Sequence, residues 1–261
     1  MFELQYFLIG IIQGITEFLP ISSSGHLVLF GKLASWEDQG LFTDIAVHFG
    51  TLFAVIIYLR KEIYFLLINI FKLKIFEDTI IFKIILSTLP AIILGYFIYE
   101  YVSIYFRSIK LIAISSICFA IILFFADRIK IQNKNWKNIT FVESFIVGLF
   151  QILAFIPGAS RAGVTITGAR FLGYDRLNAA RFSMLLSIPI IMASMTLSLI
   201  NLFKDASLQT NISQSFFAAF VAFITALLSI MLLMRFIKEA NFNIFIIYRI
   251  VLGIILLGFY A

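Results

Sequence analysis

The sequence predicts an all-α integral membrane protein built as an inverted repeat. Each half holds one re-entrant helical hairpin and three transmembrane helices, six spans and two hairpins in all. Three observations lead there: a composition too apolar for a soluble domain, polar residues gathered at two helix-breaking segments, and a second half that echoes the first at a steady offset.

Of the 261 residues, 62% are hydrophobic and only 13% are charged, and the mean hydropathy is +1.04, far from the balance of a soluble domain. A helix needs roughly 20 residues to cross a hydrocarbon core of about 30 Å. The chain therefore has room for about eight apolar segments and no separate soluble domain. The net charge of +6 reads as loop charge on the inner membrane face, since no basic run is interleaved with a soluble fold, and nucleic acid is excluded as a partner. The single cysteine, Cys118, lies in an apolar run, which rules out an internal disulfide or a cysteine metal cluster. Met1-Phe2-Glu3 carries no basic leader, so the first helix is expected to remain in the mature chain.

The first repeat is expected over 1–127. Its hairpin, 6–35, contains two apolar pieces that are each too short to span and are separated by Pro20-Ile21-Ser22-Ser23-Ser24-Gly25. Broken backbone is tolerated at membrane depth only where it faces protein or a wet cavity. Spans follow at about 42–60, 79–101 and 109–127. A basic linker over 128–143 holds the longest polar run, Asp127 to Asn138. The second repeat, 144–261, has its hairpin at 144–173 and spans at about 177–203, 214–236 and 243–260.

Gly10-Ile11-Ile12-Gln13 is echoed by Gly148-Leu149-Phe150-Gln151, Pro20 by Pro157 and Ser23 by Ser160, at offsets of about 135 to 138 residues. A hairpin returns to its own side and three spans are odd, so the second half must sit upside down relative to the first. The two hairpins then enter from opposite faces and meet near the middle. Arg60, Lys61, Lys72, Lys74, Lys83, Arg128, Lys130, Lys134, Lys137, Arg235 and Lys238 mark one face as cytoplasmic, against Lys32, Arg107, Lys110 and Lys204 on the other. Tyr58, Tyr64, Tyr96, Tyr99, Tyr101, Tyr105 and Trp136 fall near span ends, as an interfacial belt would.

Gln13 and Glu17 are one helical turn apart, and Glu17 sits at the negative end of a helix dipole with no basic residue before Lys32. Such a local conflict marks Glu17 as a metal ligand or as a base. One serine of Ser22, Ser23 and Ser24 suffices to cap the second short helix. Ser23 and His26 then face the same cavity as Glu17, with His26 able to relay a proton. Pro157-Gly158-Ala159-Ser160-Arg161 breaks and restarts a helix, so its N–H groups, Gly158, the Ser160 hydroxyl, the Arg161 fork and Thr165 form an anion cradle suited to a phosphate. A plainer role for Arg161 is to satisfy carbonyls of the opposite hairpin. His48, inside the first long span, reads as hydrogen-bonded structure, and Arg181 and Arg249 as packing or headgroup contacts.

These two clusters together resemble the undecaprenyl-diphosphate phosphatase family, also called the bacitracin-resistance protein family of bacteria, over essentially the whole chain. The first signature is matched by Gln13, Glu17, Phe18-Leu19-Pro20 and Ser22-Ser23-Ser24-Gly25-His26; the second by Pro157, Gly158, Ser160, Arg161 and Thr165. The resemblance implies hydrolysis of a C55 polyprenyl diphosphate to the monophosphate and inorganic phosphate on the outer side of the bacterial plasma membrane. The lipid carrier of peptidoglycan synthesis is recycled in this way.

The implied cofactor is a divalent cation, Mg²⁺ or Ca²⁺, held by Glu17 and Gln13. Gln13 lacks the charge that Glu supplies in many relatives, and Ala162 stands where a second Ser is common, so Glu17 carries more of the metal binding. Expected catalytic residues are Glu17, Ser23, His26 and Arg161, and expected substrate-binding residues are Gln13, Gly158, Ser160, Arg161 and Thr165. The expected partners are the polyprenyl diphosphate lipid, the bilayer and, as a homodimer, a second copy of the chain. The other reading is an inverted-repeat transporter or lipid flippase for a phosphorylated substrate, which needs the cradle but neither nucleophile nor general acid.

Overall fold

The computed structural model describes residues 2–34, 36, 39–71, 80–105, 108–204 and 212–260, and every regular element among them is helical. In chain order these are α1 (Phe2–Thr16), α2 (Ser23–Leu33), α3 (Gly40–Tyr58), α4 (Arg60–Phe71), α5 (Ile80–Tyr105) and α6 (Ile109–Ala126). After the linker come α7 (Phe141–Ile152), α8 (Arg161–Phe171), α9 (Arg176–Lys204), α10 (Ile212–Phe236) and α11 (Asn243–Tyr260). Among the described residues five helices are long and apolar enough to cross a membrane: most or all of α3, α5, α6, α9 and α10. The sixth expected span, 243–260, coincides with α11, an apolar helix of 18 residues.

One helix was not foreseen. α3 closes at Leu59 and α4 begins one residue later, with Arg60, Lys61 and Glu62 in its first turn. Those charges read as a loop because they interrupt the apolar run, yet none of them disfavours a helix. Lys72, Lys74, Glu77, Asp78 and Arg107, used above to separate spans and orient them, lie outside the described residues, as do the side chains of Tyr99, Tyr101, Tyr105 and Lys204. Trp136 departs from the expected belt: it is 1% exposed in the central core, with its backbone N–H on Asn178 Oδ1.

Large apolar side chains point outward along the spans, among them Phe97, Phe220, Leu232 and Phe259 at 75%, 63%, 67% and 80% exposure. On a soluble protein such a surface would be a sticky patch, whereas in a bilayer it meets solvent of its own kind. The interior instead combines apolar packing around Phe18, Val55, Leu123, Val147, Phe182 and Ile230 with buried polar groups.

Small residues let the short helices lie against long ones. A Cβ on Gly14 of α1 would overlap Thr225 Oγ1 and come within 2.6 Å of the Ala222 carbonyl of α10. A Cβ on Gly148 of α7 would come within 2.7 Å of the Ser87 carbonyl of α5. Close backbone approach of this kind drives helix association where there is no hydrophobic effect between helices.

On one face of the bundle Asp127, at the end of α6, accepts Arg176 Nε at 2.8 Å and Arg170 Nε at 3.2 Å, and its second oxygen accepts the Phe242 N–H. Arg170 also donates to the carbonyls of Asp127, Ile129 and Tyr174. The ends of α6 and α8, the start of α9 and the α10–α11 turn are thereby tied at one level.

Candidate active site

Both short-helix pairs break in the same way. α1 ends at Thr16 because Pro20 has no N–H to continue the ladder, and α2 restarts behind Ser22, whose side chain accepts the Gly25 N–H. α7 ends near Phe155, Pro157 follows, and α8 restarts behind Ser160, whose side chain accepts the Gly163 N–H. Ser22 and Ser160 are the only non-glycine residues with positive φ among those described, at 76° and 70°. The sequence echo paired Ser23 with Ser160, but the capping geometry pairs Ser22 with Ser160. That shift of one residue frees the Ser23 hydroxyl.

The breaks meet. Arg161 Nη2 at the start of α8 donates to Glu17 Oε1 at 2.8 Å, although the two residues are 144 apart in sequence. Glu17 Oε2 accepts Gln13 Nε2 at 3.0 Å and Ser23 Oγ at 2.8 Å. The carboxylate at the wrong end of α1 is therefore compensated, not by a basic neighbour in sequence but by the guanidinium of the other hairpin. His48 of α3, read from sequence as structural, stands with Nε2 4.0 Å from Glu17 Oε2. Its Nδ1 lies 2.7 Å from the Asp44 carbonyl, which can only accept. Nδ1 therefore carries a proton, and Nε2 is the ring nitrogen turned toward the carboxylate.

His26 is placed differently. Its Nδ1 is 2.6 Å from the Ser22 carbonyl and its Nε2 2.6 Å from Tyr248 Oη, so both ring nitrogens are engaged and the ring is 5% exposed. It fastens α2 to α11. Thr165 is fully buried, with its hydroxyl at 2.9 Å from the Arg161 carbonyl and 2.7 Å from Ser183 Oγ; it holds the helix turn that carries Arg161. Ser160 Oγ, besides capping, lies 3.3 Å from the Leu19 carbonyl. Gly158 has φ +89°, and a Cβ there would come within 2.6 Å of the Ile112 carbonyl and overlap Ser115 Oγ. That glycine is required by the turn and by its seat on α6. The more accessible wall consists of Ser23, Ser24, His48 and, at 13% side-chain exposure, Arg161.

Arg249 of α11 is the residue the sequence underrated. It is 1% exposed and donates from Nη1 to the Pro20 carbonyl at 3.2 Å, and from Nη2 to the carbonyls of Gly158 and Ala159 at 2.8 and 3.1 Å. A single guanidinium thus joins one helix break to the other. This is the carbonyl-satisfying task first considered for Arg161. Ser115 of α6 adds a bond to the Pro157 carbonyl.

The donor set suits a hard cation. No group of three or more His, Cys, Asp or Glu is assembled among the described residues, so a dedicated all-protein cage is absent there. Gln13 turns its Nε2 to Glu17 and leaves its other amide atom, Oε1, buried and without a hydrogen-bond partner. One carboxylate, one orphaned amide oxygen and one hydroxyl fit an ion of the Mg²⁺ or Ca²⁺ type, which completes its shell with phosphate oxygens and water.

Comparison with known proteins extends this picture. The family model described as bacitracin resistance protein BacA matches residues 6–255. A protein named undecaprenyl-diphosphatase from Jannaschia sp. (strain CCS1) is 42% identical over 258 residues, covering 96% of both chains. Others of that name from Campylobacter curvus (strain 525.92) and Aliivibrio salmonicida (strain LFI1238) are 38% and 40% identical, covering 95% and 98% of this chain and 96% and 98% of their own.

Proposed function

The chain belongs to the family of bacitracin resistance protein BacA, and on that premise we propose that it hydrolyses undecaprenyl diphosphate to undecaprenyl phosphate and inorganic phosphate. It is a multi-pass membrane hydrolase whose reaction returns the lipid carrier to peptidoglycan synthesis, and the family is known for bacitracin resistance. The observation that carries the assignment is the 2.8 Å pairing of Glu17 with Arg161 across two helix breaks, with Ser23 on the same carboxylate.

The arrangement is that of an inverted repeat with two re-entrant hairpins. α1 and α2 have 15 and 11 residues, and α7 and α8 have 12 and 11, each too short to span alone. Support comes from packing. Gly10 and Gly148, which correspond in the two halves, each lie against a long span of the opposite half, at Ala218 and Ser87 respectively. The site opens to the outer face, and the basic side that carries Arg60, Arg128 and Arg235 is cytoplasmic.

Phosphoryl transfer chiefly needs positioning and charge neutralisation. The diphosphate lies between the breaks with its prenyl tail among the spans. The Arg161 guanidinium turns its fork toward the terminal phosphate, and the positive ends of α2 and α8 face the same place. Ser160, Thr165 and Arg249 hold that geometry. Glu17 and Gln13 would hold a Mg²⁺- or Ca²⁺-type ion, which supplies neutralisation of phosphate charge when bound.

The attacking oxygen is Ser23 Oγ or a water beside it. It forms a bond to the terminal phosphorus as the bridging P–O bond breaks and the polyprenyl monophosphate leaves; where Ser23 attacks, a water then attacks the phosphoserine, breaking its P–O bond to release inorganic phosphate and restore the hydroxyl. The proton of the attacking group passes to Glu17, beside which His48 Nε2 stands, rather than to His26, whose nitrogens are engaged. Phosphate release from C55 diphosphate by purified protein in detergent, with no sealed membrane present, tests the proposal. A protein that binds the lipid without releasing phosphate would instead be a carrier.

A further inference from the structure

At the far end of α3, ten residues beyond His48 and so about 15 Å along the helix from the site above, lies a cavity of about 390 Å³. Arg60, Lys61 and Arg181 line it with one carboxylate, Glu62, against an apolar floor of Ile57, Leu227 and Met231. Arg181 is the informative member. It is half-buried on α9, five residues and so about 7 Å deeper than Arg176. Arg170 and Arg176 on this face both bind Asp127, whereas among the described residues no carboxylate pairs with Arg181 or Lys61. A half-buried guanidinium beside Leu227 and Met231 that makes no ion pair among the described residues, with Glu62 the single carboxylate on the cavity wall against three cations, is costly in a bilayer, and such groups are retained where an anion or a polar path meets them.

We propose that this cavity seats the phosphodiester headgroup of an anionic membrane lipid. Arg181 and Lys61 take the phosphate oxygens, and Tyr58 lines the headgroup at the rim. The apolar floor decides between a lipid and free phosphate. Ile57, Leu227 and Met231 give an inorganic ion nothing, but continue into α10 surface where Leu228 and Leu232 are 51% and 67% exposed, a path for acyl chains. The site is separate from the catalytic one and does not rest on the phosphatase reading.

The test is native mass spectrometry of the purified full chain exchanged into detergent with phosphatidylglycerol, phosphatidylcholine or inorganic phosphate. The wild type is expected to retain one more phosphatidylglycerol per chain than Arg181→Gln, to retain no phosphatidylcholine, and to keep its lipid when millimolar inorganic phosphate is added. Lys61→Gln, at an exposed position that folding tolerates, shows the same loss. Arg161→Ala keeps the lipid, which distinguishes this site from the phosphate cradle. Equal retention by wild type, Arg181→Gln and Lys61→Gln overturns the proposal, and so does displacement of the lipid by inorganic phosphate. Phosphate release by Arg181→Gln at the wild-type rate is expected whether or not lipid is lost.

Discussion

Replacing Arg249 by lysine keeps a buried positive charge on α11 but removes the fork that joins the two helix breaks. The guanidinium makes three bonds to backbone carbonyls, at 3.2, 2.8 and 3.1 Å, and each hydrogen bond to a charged group contributes about 1.5–3 kcal/mol. A lysine ammonium at the same place reaches one set of carbonyls, on one break or the other. Desolvating a buried cation costs several kcal/mol in both proteins and cancels in the comparison. The expected loss of stability is about 1.5–3 kcal/mol if the bond to Pro20 is lost and about 3–6 kcal/mol if the two to Gly158 and Ala159 are. Catalysis should suffer more than folding. With one break released, Arg161 and Ser23 lose their fixed separation, and misplacement of reacting groups by about 1 Å costs roughly 10²-fold in rate. Phosphate release measured at saturating lipid, alongside thermal unfolding in the same detergent, reads the two effects separately. Arg249→Lys turning over at the wild-type rate, or losing rate only in proportion to its unfolded fraction, would refute the idea that this residue sets the site's geometry.

Arg161→Ala removes the guanidinium paired with Glu17, and turnover is expected to fall by about 10²–10³-fold, as seen when one preorganised donor is removed from a transition state; wild-type rates would sink the phosphate cradle. Ser23→Ala separates the two candidate nucleophiles, since full activity assigns attack to water while a phosphoserine trapped on the wild type assigns it to Ser23. Gly14→Val forces α1 away from Thr225 and Ala222, with an expected cost of about 1–3 kcal/mol, visible as a lower unfolding temperature.

A further prediction concerns pH. Burial works to raise the pKa of Glu143, but Lys134, the Thr140 N–H and the Tyr174 hydroxyl outweigh it and hold the carboxyl below its ordinary value. Its contribution to stability is therefore present above the unfolded carboxylate range and lost as pH falls through the depressed folded value. The stability gap between wild type and Glu143→Gln should close on acidification below 4.5, and a gap unchanged down to pH 3 would contradict that linkage.

The helices were legible because their cause is local. Spans expected at 42–60, 109–127, 177–203 and 214–236 match α3, α6, α9 and α10 to within about two residues, since an apolar run of bilayer length has little choice but to be helical. The breaks were legible for the same reason: a proline followed by small polar residues stops one helix and caps another. α4 escaped notice because charges that interrupt a hydropathy pattern need not interrupt a helix. Trp136 was expected at the interface because an aromatic near a span end usually sits there, but here the linker folds inward and buries it.

By itself the sequence determined the helical membrane class, the positions of the long apolar helices, the two breaks and the family they resemble, all of which depend on hydropathy, backbone chemistry and short motifs within one turn or two. It marked Glu17 as a carboxylate in the wrong place without revealing what compensated it. Only the tertiary structure decided that Arg161 answers Glu17, that Arg249 rather than Arg161 ties the breaks together, that His48 faces the site while His26 is spent on Tyr248, and that Ser22 caps while Ser23 is free. Each of these depends on the direction of one side chain across a contact between helices far apart in the chain. Periodicity says which residues share a helix face, but not what that face will meet.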